Sequence, residues 1–377
     1  MILSEEQTMI RDMARDFATN RLAPDSVAWE KAAAIPRAIF DEMGALGLMG
    51  MTVPEAYGGA DTDYVSYALA LMEIAGGDGA VSTVMSVNNS PCCAAILKDG
   101  TEEQKQAYLV PLAKGEKIGA FCLTEPHAGS DASALRTRAV RDGDDYIING
   151  TKQFITSGKI GGVALVFAVT DPDAGKKGIS CFIVPTDTPG YRVASIEDKL
   201  GQKGSDTCQI ALEDVRVPAS AMLGTEGAGY RIALANLETG RIGIGAQSVG
   251  MAAAALKHAV EYAKERESFG TRIIDHQAVG FRLADMATKV EVARQMVLHA
   301  ASLKDAGQPC LTEASMAKLF ASEMAEEVCS GAIQTLGGNG FIADYPVEKI
   351  YRDVRVCQIY EGTSDIQKMV IARTLAA

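Results

Sequence analysis

Glu361 opens the run Glu361-Gly362-Thr363-Ser364-Asp365, between the stretch Cys357-Gln358-Ile359-Tyr360 and a helix-like run over residues 366–375. A carboxylate on a short link into a terminal helix can work as a general base when its pocket is dry, because losing water disfavours its charged form. Gly362 lets a ligand approach the backbone, and Thr363 or Ser364 can cap the helix that follows. The same five residues also read as a solvated glutamate ahead of a helix.

Other segments could complete a site. Thr124-Glu125-Pro126-His127-Ala128-Gly129-Ser130-Asp131 leaves an expected strand over residues 120–123. It offers hydroxyls and free N–H groups to the edge of a planar ring and to a phosphate or carbonyl, or forms an Asx or ST turn with no ligand. Lys152-Gln153-Phe154-Ile155-Thr156-Ser157-Gly158 follows Asn149-Gly150, which reads as a hairpin turn. Phe154 can cover a ring face and Thr156 bond its edge, or the two are a core aromatic and a strand threonine. Arg266-Glu267-Ser268-Phe269-Gly270, with Gln277 eleven residues after Arg266, supplies a guanidinium able to grip a pyrophosphate, or a solvated charge at a helix end. Gln334-Thr335-Leu336-Gly337-Gly338-Asn339-Gly340 reads as a helix stop or as a loop pressed on a cofactor. It is not G-x-G-x-x-G after a strand, which rejects a doubly wound dinucleotide fold. Glu238 and Arg241 lie three apart on one helix face, as an intrahelical ion pair would.

These segments need a frame. The chain has 377 residues, 47% of them hydrophobic, enough for two or three domains. Apolar residues recur every three or four positions up to about residue 115 (Ile10, Met13, Phe17; Leu69, Met72), broken at Pro24, Pro36, Pro54 and Gly58-Gly59. Short β-branched runs then appear at Ile147-Ile148, Leu165-Val166-Phe167 and residues 179–184, with turn pairs at Asp142-Gly143, Lys177-Gly178 and Pro189-Gly190. From Tyr230 the helical period returns, with a seam at Leu283, Met286, Val290, Ala293, Val297 and Ala300. The expectation is an α+β chain: an N-terminal helical domain over residues 1–117, a central β barrel or sandwich over 118–228, and a C-terminal helical bundle over 229–377.

A net charge of −12 argues against a nucleic-acid partner. The eight cysteines lack a C-x-x-C pair and the four histidines form no H-x-x-x-H pair, so neither a metal nor a disulfide scaffold is expected. No apolar run reaches the roughly 20 residues of a bilayer span. The start runs directly into a capped helical pattern, and the expected location is cytoplasmic.

In this order the segments resemble the acyl-CoA dehydrogenases over nearly the whole chain. Leu46-Gly47-Leu48, Val53-Pro54-Glu55 and Tyr57-Gly58-Gly59 look like that family's N-terminal signature, and TEPHAGSD, KQFITSG, RESFG, QTLGGNG, YPVEK and QIYEGTSDIQ follow at family-like separations. The resemblance implies a C-terminal four-helix bundle, FAD, and removal of two hydrogens across the α and β carbons of a CoA thioester, with electrons passed to an electron-transferring flavoprotein. It makes Glu361 the base that takes the α proton while the β hydrogen leaves as hydride to flavin N5. It assigns the enolate-like charge to the Glu361 N–H and a flavin ribityl hydroxyl. It puts Phe121, Leu123, Thr124, Gly129, Ser130, Phe154, Ile155 and Thr156 around the flavin. Arg266, Phe269, Gln277, Gln334, Leu336, Gly337 and Gly338 match positions reaching the FAD of a neighbouring subunit, in a homotetramer built as a dimer of dimers. Thr363 and Asp365 flank the cofactor again. Ser130, Glu238, Arg241, Tyr360 and Gly362 match substrate contacts.

His127 stands where the family most often has Gly, and Asp365 where Gln or Glu is common. Members acting on isovaleryl or long chains carry their base just before the counterpart of Arg241; that position is Gly240, so Glu361 has no competitor. Residues 237–244 and 318–323 look closest to short-chain and short-branched-chain members. An acyl-CoA or nitroalkane oxidase using oxygen, and a non-catalytic CoA-binding scaffold, are the other readings.

Overall fold

The computed structural model describes residues 1–376. Ser4 opens α1 (Glu5–Phe17) with a capping box shared with Gln7. There follow α2 (Ser26–Ala32), α3 (Arg37–Ala45), α4 (Tyr64–Gly77), α5 (Gly79–Val87), α6 (Ala94–Asp99), α7 (Glu102–Gln104) and α8 (Val110–Ala113). From Val65 to Ala75 only Glu73 of α4 is not buried, which is why its sequence shows no polar face.

The middle of the chain is one twisted sheet. Its strands are β1 (Gly119–Cys122), β2 (Arg138–Asp142), β3 (Asp145–Thr156), β4 (Val163–Val169), β5 (Ile179–Pro185), β6 (Tyr191–Ile196), β7 (Thr207–Pro218) and β8 (Met222–Leu223), in the order β6-β7-β3-β2-β4-β5-β8, with β1 parallel to β4. β4 and β5 are covered on both faces. Leu165 and Ile183 meet Ile96, Leu112 and Ile232 of the helices, whereas Val166 and Phe182 join Ile148, Ile210 and Val215 inside the curled sheet. Two covered faces explain their unbroken apolar runs.

Asn149-Gly150 is not a hairpin turn. Both residues lie within β3, at a bulge where the register against β7 shifts between Ile148 and Gly150. The Asn149 amide exchanges two hydrogen bonds with Asp214 across the bulge (2.9 and 2.8 Å), and a Cβ at position 150 would stand 2.3 Å from Thr137 Oγ1. This glycine answers a close approach rather than a chain reversal. The reversal comes at Asp142-Gly143, between β2 and β3.

The chain then enters α9 (Gly229–Glu265), a small hairpin of β9 (Glu267–Ser268) and β10 (Thr271–Arg272), α10 (Gln277–Asp305), α11 (Leu311–Leu336), α12 (Val347–Val354) and α13 (Ser364–Leu375). The seam from Leu283 to Ala300 is buried along α10. The early helices α1–α5 and the late helices α9–α12 share a single apolar core, so two helical segments separated by the sheet close on one another. At the centre of that contact α4 and α9 meet backbone to backbone, and a Cβ at Gly250 would lie 2.0 Å from Met72 O. Gly250→Ala should therefore lower stability by roughly 1–3 kcal/mol, read as an earlier midpoint in denaturant unfolding.

Candidate functional site

Glu361 and Gly362 both take left-handed backbone angles (φ 53° and 84°), making a tight turn between Tyr360 and the start of α13. Thr363 is the helix cap, its hydroxyl accepting from Ile366 N at 3.3 Å. Two buried side chains hold the turn from behind. Gln367 Nε2 donates to the carbonyls of Glu361 and Gly362 at 3.1 and 2.9 Å, and Lys318 Nζ donates to Gly362 O at 2.7 Å. Neither touches the carboxyl. Glu361 is half-buried as a residue, but its Oε2 is sealed from solvent and has no hydrogen-bond partner among the described residues.

Gly240 of α9 makes room for that carboxyl: a Cβ there would stand 2.8 Å from Oε1 and 3.0 Å from Oε2. Burial pushes the Glu361 carboxyl up to about 7, against the pull of Arg241 and Lys318. Burial also presses the Lys318 ammonium down to about 8 and lowers Arg241. Arg241 does not pair with Glu238. It is turned inward, where Nη1 reaches Ser315 Oγ at 3.2 Å and Nε has no partner among the described residues, while Glu238 accepts a weak bond from Cys310 Sγ at 3.9 Å. The expected intrahelical ion pair gives way to burial of the arginine.

A second group gathers at the ends of β1 and β3. Gln153 N donates to Thr124 O at 2.9 Å, laying the two segments side by side. Their organiser is Glu125, whose carboxylate accepts from Lys152 Nζ (2.8 Å), Arg136 N (2.7 Å) and Thr137 N (3.0 Å). Burial would raise Glu125, but these donors hold it below the usual carboxylate range; burial also lowers Lys152, against the pull of Glu125. Phe154 stands out from this frame at φ 58°, with 63% of its surface exposed. Ile155 and Leu123 are buried, Thr124 and Thr156 half-buried, and Gly129 and Ser130 exposed. Phe121 packs instead on Phe167, ring centres 4.8 Å apart.

Arg266, Phe269, Gln277, Gln334, Gly337 and Gly338 are exposed at another end of the molecule, with Leu336 buried beside them. Asn339 Nδ2 donates to Tyr262 OH at 2.8 Å, tying the glycine loop to the end of α9. At 1.5 Å per residue, Gln334 is roughly 24 Å along α11 from Lys318, and Arg266 roughly 39 Å from Gly240. They cannot line the Glu361 cleft of their own chain. Asp365 is exposed in the first turn of α13. Sequence reasoning missed Gln367, Glu125 and Lys152. Glu125 and Lys152 are 27 residues apart, and nothing local marks them as partners.

Family models match all three parts of the chain: acyl-CoA dehydrogenase, N-terminal domain, over residues 4–116; middle domain over 120–215; C-terminal domain over 227–376. The mitochondrial short-chain specific acyl-CoA dehydrogenase of Homo sapiens is 47% identical over 370 residues, 98% of this chain and 90% of the relative. Butyryl-CoA dehydrogenase from Megasphaera elsdenii superposes with a TM-score of 0.98 at 42% identity, over 100% of both chains. A chain from a structure described as the electron transferring flavoprotein of Acidaminococcus fermentans, towards a mechanism of flavin-based electron bifurcation, has a TM-score of 0.98 at 48% identity, over 100% of this chain and 99% of that one.

Lys152→Met should cost about 3–5 kcal/mol in denaturant unfolding, because it strands a buried carboxylate. Adding Glu125→Gln should recover most of that loss, and the double-mutant cycle measures the coupling.

Proposed function

Because the chain belongs to the acyl-CoA dehydrogenase family, we propose that it converts a short or short-branched acyl-CoA to the trans-2-enoyl-CoA, with Glu361 taking the α proton. One observation carries the assignment: a carboxyl with Oε2 sealed and partnerless, lifted to about 7 and lodged against Gly240. A thioester α proton is weakly acidic, so the base must hold its own proton strongly enough to compete yet be largely ionised at working pH. The Glu361 N–H makes no hydrogen bond within the described residues and can meet the thioester carbonyl as charge develops there. Gln367 and Lys318 keep that donor fixed.

The protein is an FAD flavoprotein, and the residues present fit such a group: the exposed, left-handed Phe154 is an apolar face without a cover, and nothing lies within 4 Å of where a Gly129 Cβ would be. When bound, FAD supplies the two-electron acceptor for the β hydrogen. Thr124, Gly129, Ser130, Phe154, Ile155 and Thr156 hold it in this subunit, with Thr363 and Asp365 beside it. Arg266, Phe269, Gln277, Gln334, Gly337 and Gly338 reach the FAD of a second copy, which their distance from Glu361 supports. Phe269, Phe281 and Phe341 are 98%, 65% and 84% exposed, an aromatic surface suited to a tetramer arranged as a dimer of dimers. Ser130, Glu238, Arg241, Tyr360 and Gly362 contact the substrate. A short acyl group is supported one turn beyond Gly240, where a Gly243 Cβ would lie 2.9 Å from Ser86 Oγ and 3.1 Å from Tyr67 OH, leaving no depth. Electrons then pass to an electron-transferring flavoprotein.

Glu361→Gln should retain FAD yet fail to bleach anaerobically with butyryl-CoA; bleaching at the wild-type rate removes Glu361 from the mechanism. In the wild type the reduction rate should climb with pH through about 7, because only the ionised carboxyl accepts the proton. The folded state binds that proton more tightly than an unfolded glutamate at 4.5 does, so stability from this group is present below pH 4.5 and lost as pH rises through about 7. Thermal melts should therefore show Glu361→Gln more stable than wild type at pH 8, by at most about 3 kcal/mol, with the difference vanishing near pH 4. Rapid reoxidation by an electron-transferring flavoprotein and slow reoxidation by air would separate a dehydrogenase from an oxidase.

A further inference from the structure

A buried line of hydrogen bonds with a single polarity runs from the residue before the base to the loop behind the flavin wall. Tyr360 OH donates to Gln247 Oε1 at 3.0 Å, and Gln247 Nε2 donates to Thr83 Oγ1 at 3.0 Å and to Ser82 Oγ at 2.8 Å. Thr83 Oγ1 donates to Gln202 Oε1 at 2.5 Å; Gln202 Nε2 donates to Asp353 O at 3.1 Å, and Gln202 N donates to the Asp353 carboxylate. Lys349 Nζ anchors the line, donating to Asp353 Oδ2 at 2.6 Å and Asp78 Oδ2 at 3.1 Å. Thr83, Gln202, Gln247, Lys349, Asp353 and Asp78 are all buried. Turning over Gln202 would set its Oε1 against the Asp353 carbonyl, acceptor against acceptor, so Gln202 Oε1 must face Thr83 and the Thr83 hydroxyl must donate to it.

Gln202 belongs to the loop between β6 and β7, and both ends of that loop grip β3 beside Phe154. Gln153 Nε2 donates to Glu197 Oε1 at 2.6 Å, while Ser157 N and Lys159 N donate to Asp206 O and Oδ2 at 3.2 and 2.6 Å. The loop's middle is pressed on α12, since a Cβ at Gly201 would lie 2.3 Å from Arg352 O. Gln202 itself is left-handed (φ 50°), a cost its surroundings must over-determine. The catalytic turn and the flavin wall come from different parts of the chain, and this line connects them.

We propose that Thr83 and Gln202 are positioning residues that set the distance between the Glu361 carboxyl and the Phe154–Thr156 wall. The inference rests on the reading of Glu361 as the base. Neither side chain touches the reacting atoms; loss of the link lets the Tyr360-Glu361 turn and the wall move independently, which slows proton abstraction without weakening binding.

The test is anaerobic stopped-flow bleaching of the holoenzyme by butyryl-CoA. Thr83→Val keeps the shape and removes the donor, Thr83→Ser restores it, and Gln202→Asn suits a left-handed backbone but is one methylene too short to span the gap. Thr83→Val and Gln202→Asn should each bleach about tenfold or more slowly, with unchanged FAD content and half-saturating substrate, and Thr83→Ser should match wild type. Their pH profiles should also shift: the limb near 7 drops towards ordinary carboxylate values as the loosened carboxyl meets water, while Arg241 of α9, Lys318 of α11 and Tyr67 of α4, whose charges or hydroxyl face it, stay in place. Wild-type rates in both variants overturn the proposal, as does a Ser variant as slow as Val, which would mean packing rather than the hydroxyl. A wild type that does not bleach at all defeats the parent reading instead.

Discussion

A carboxyl with one oxygen sealed from water and left without a partner is the constraint around which the rest of this molecule is arranged. Water would return the Glu361 carboxyl to an ordinary carboxylate; a close cation would lower it further. The structure avoids both. Lys318 and Gln367 spend their hydrogen bonds on the backbone carbonyls of the turn, and Arg241 turns to Ser315, so the positive charges lie near the carboxyl without capturing it. Gly240 provides the remaining space. Left-handed angles at both Glu361 and Gly362 are the backbone cost of presenting carboxyl and N–H together.

A dry pocket needs walls that do not yield, which explains the way the two helical segments share one core. α4 and α9 approach until only glycine fits between them at Gly250. The opposite wall is built differently. There the buried Glu125–Lys152 pair joins the ends of β1 and β3 through charge and backbone donors. A buried pair of this kind specifies a geometry more than it adds stability. Phe154 can then stand exposed in an unfavourable conformation because its neighbours on both sides are held.

Much of this was legible in the residues. Glu361 with Gly362 and Thr363, the helix–sheet–helix sequence, the α10 seam and the loops around Thr124 and Phe154 all leave local patterns: a period, a cap, a turn pair, a string of motif residues. Asn149-Gly150 shows where local patterns mislead. The pair has hairpin composition, but the long antiparallel partner β7 carries the strand past it across a bulge, β2 pairs up to Asn149 on the other side, and the glycine serves a close contact with Thr137. Glu238 and Arg241 mislead likewise, because helical spacing says which groups can meet and not which of them is buried.

The sequence by itself determined the order of helical and β segments and the family, and it singled out Glu361 as the carboxylate to propose as base, because those depend on residue type and on spacing within a few turns of chain. Tertiary structure alone decided that Glu361 is partnerless, that Glu125 meets Lys152 and that Asp353 reaches Gln202. It also decided that Arg266 and Gln334 sit too far from Glu361 to serve the same cleft. Desolvation and long-range pairing arise when elements remote in the chain exclude water together, and no local pattern records which of them will do so.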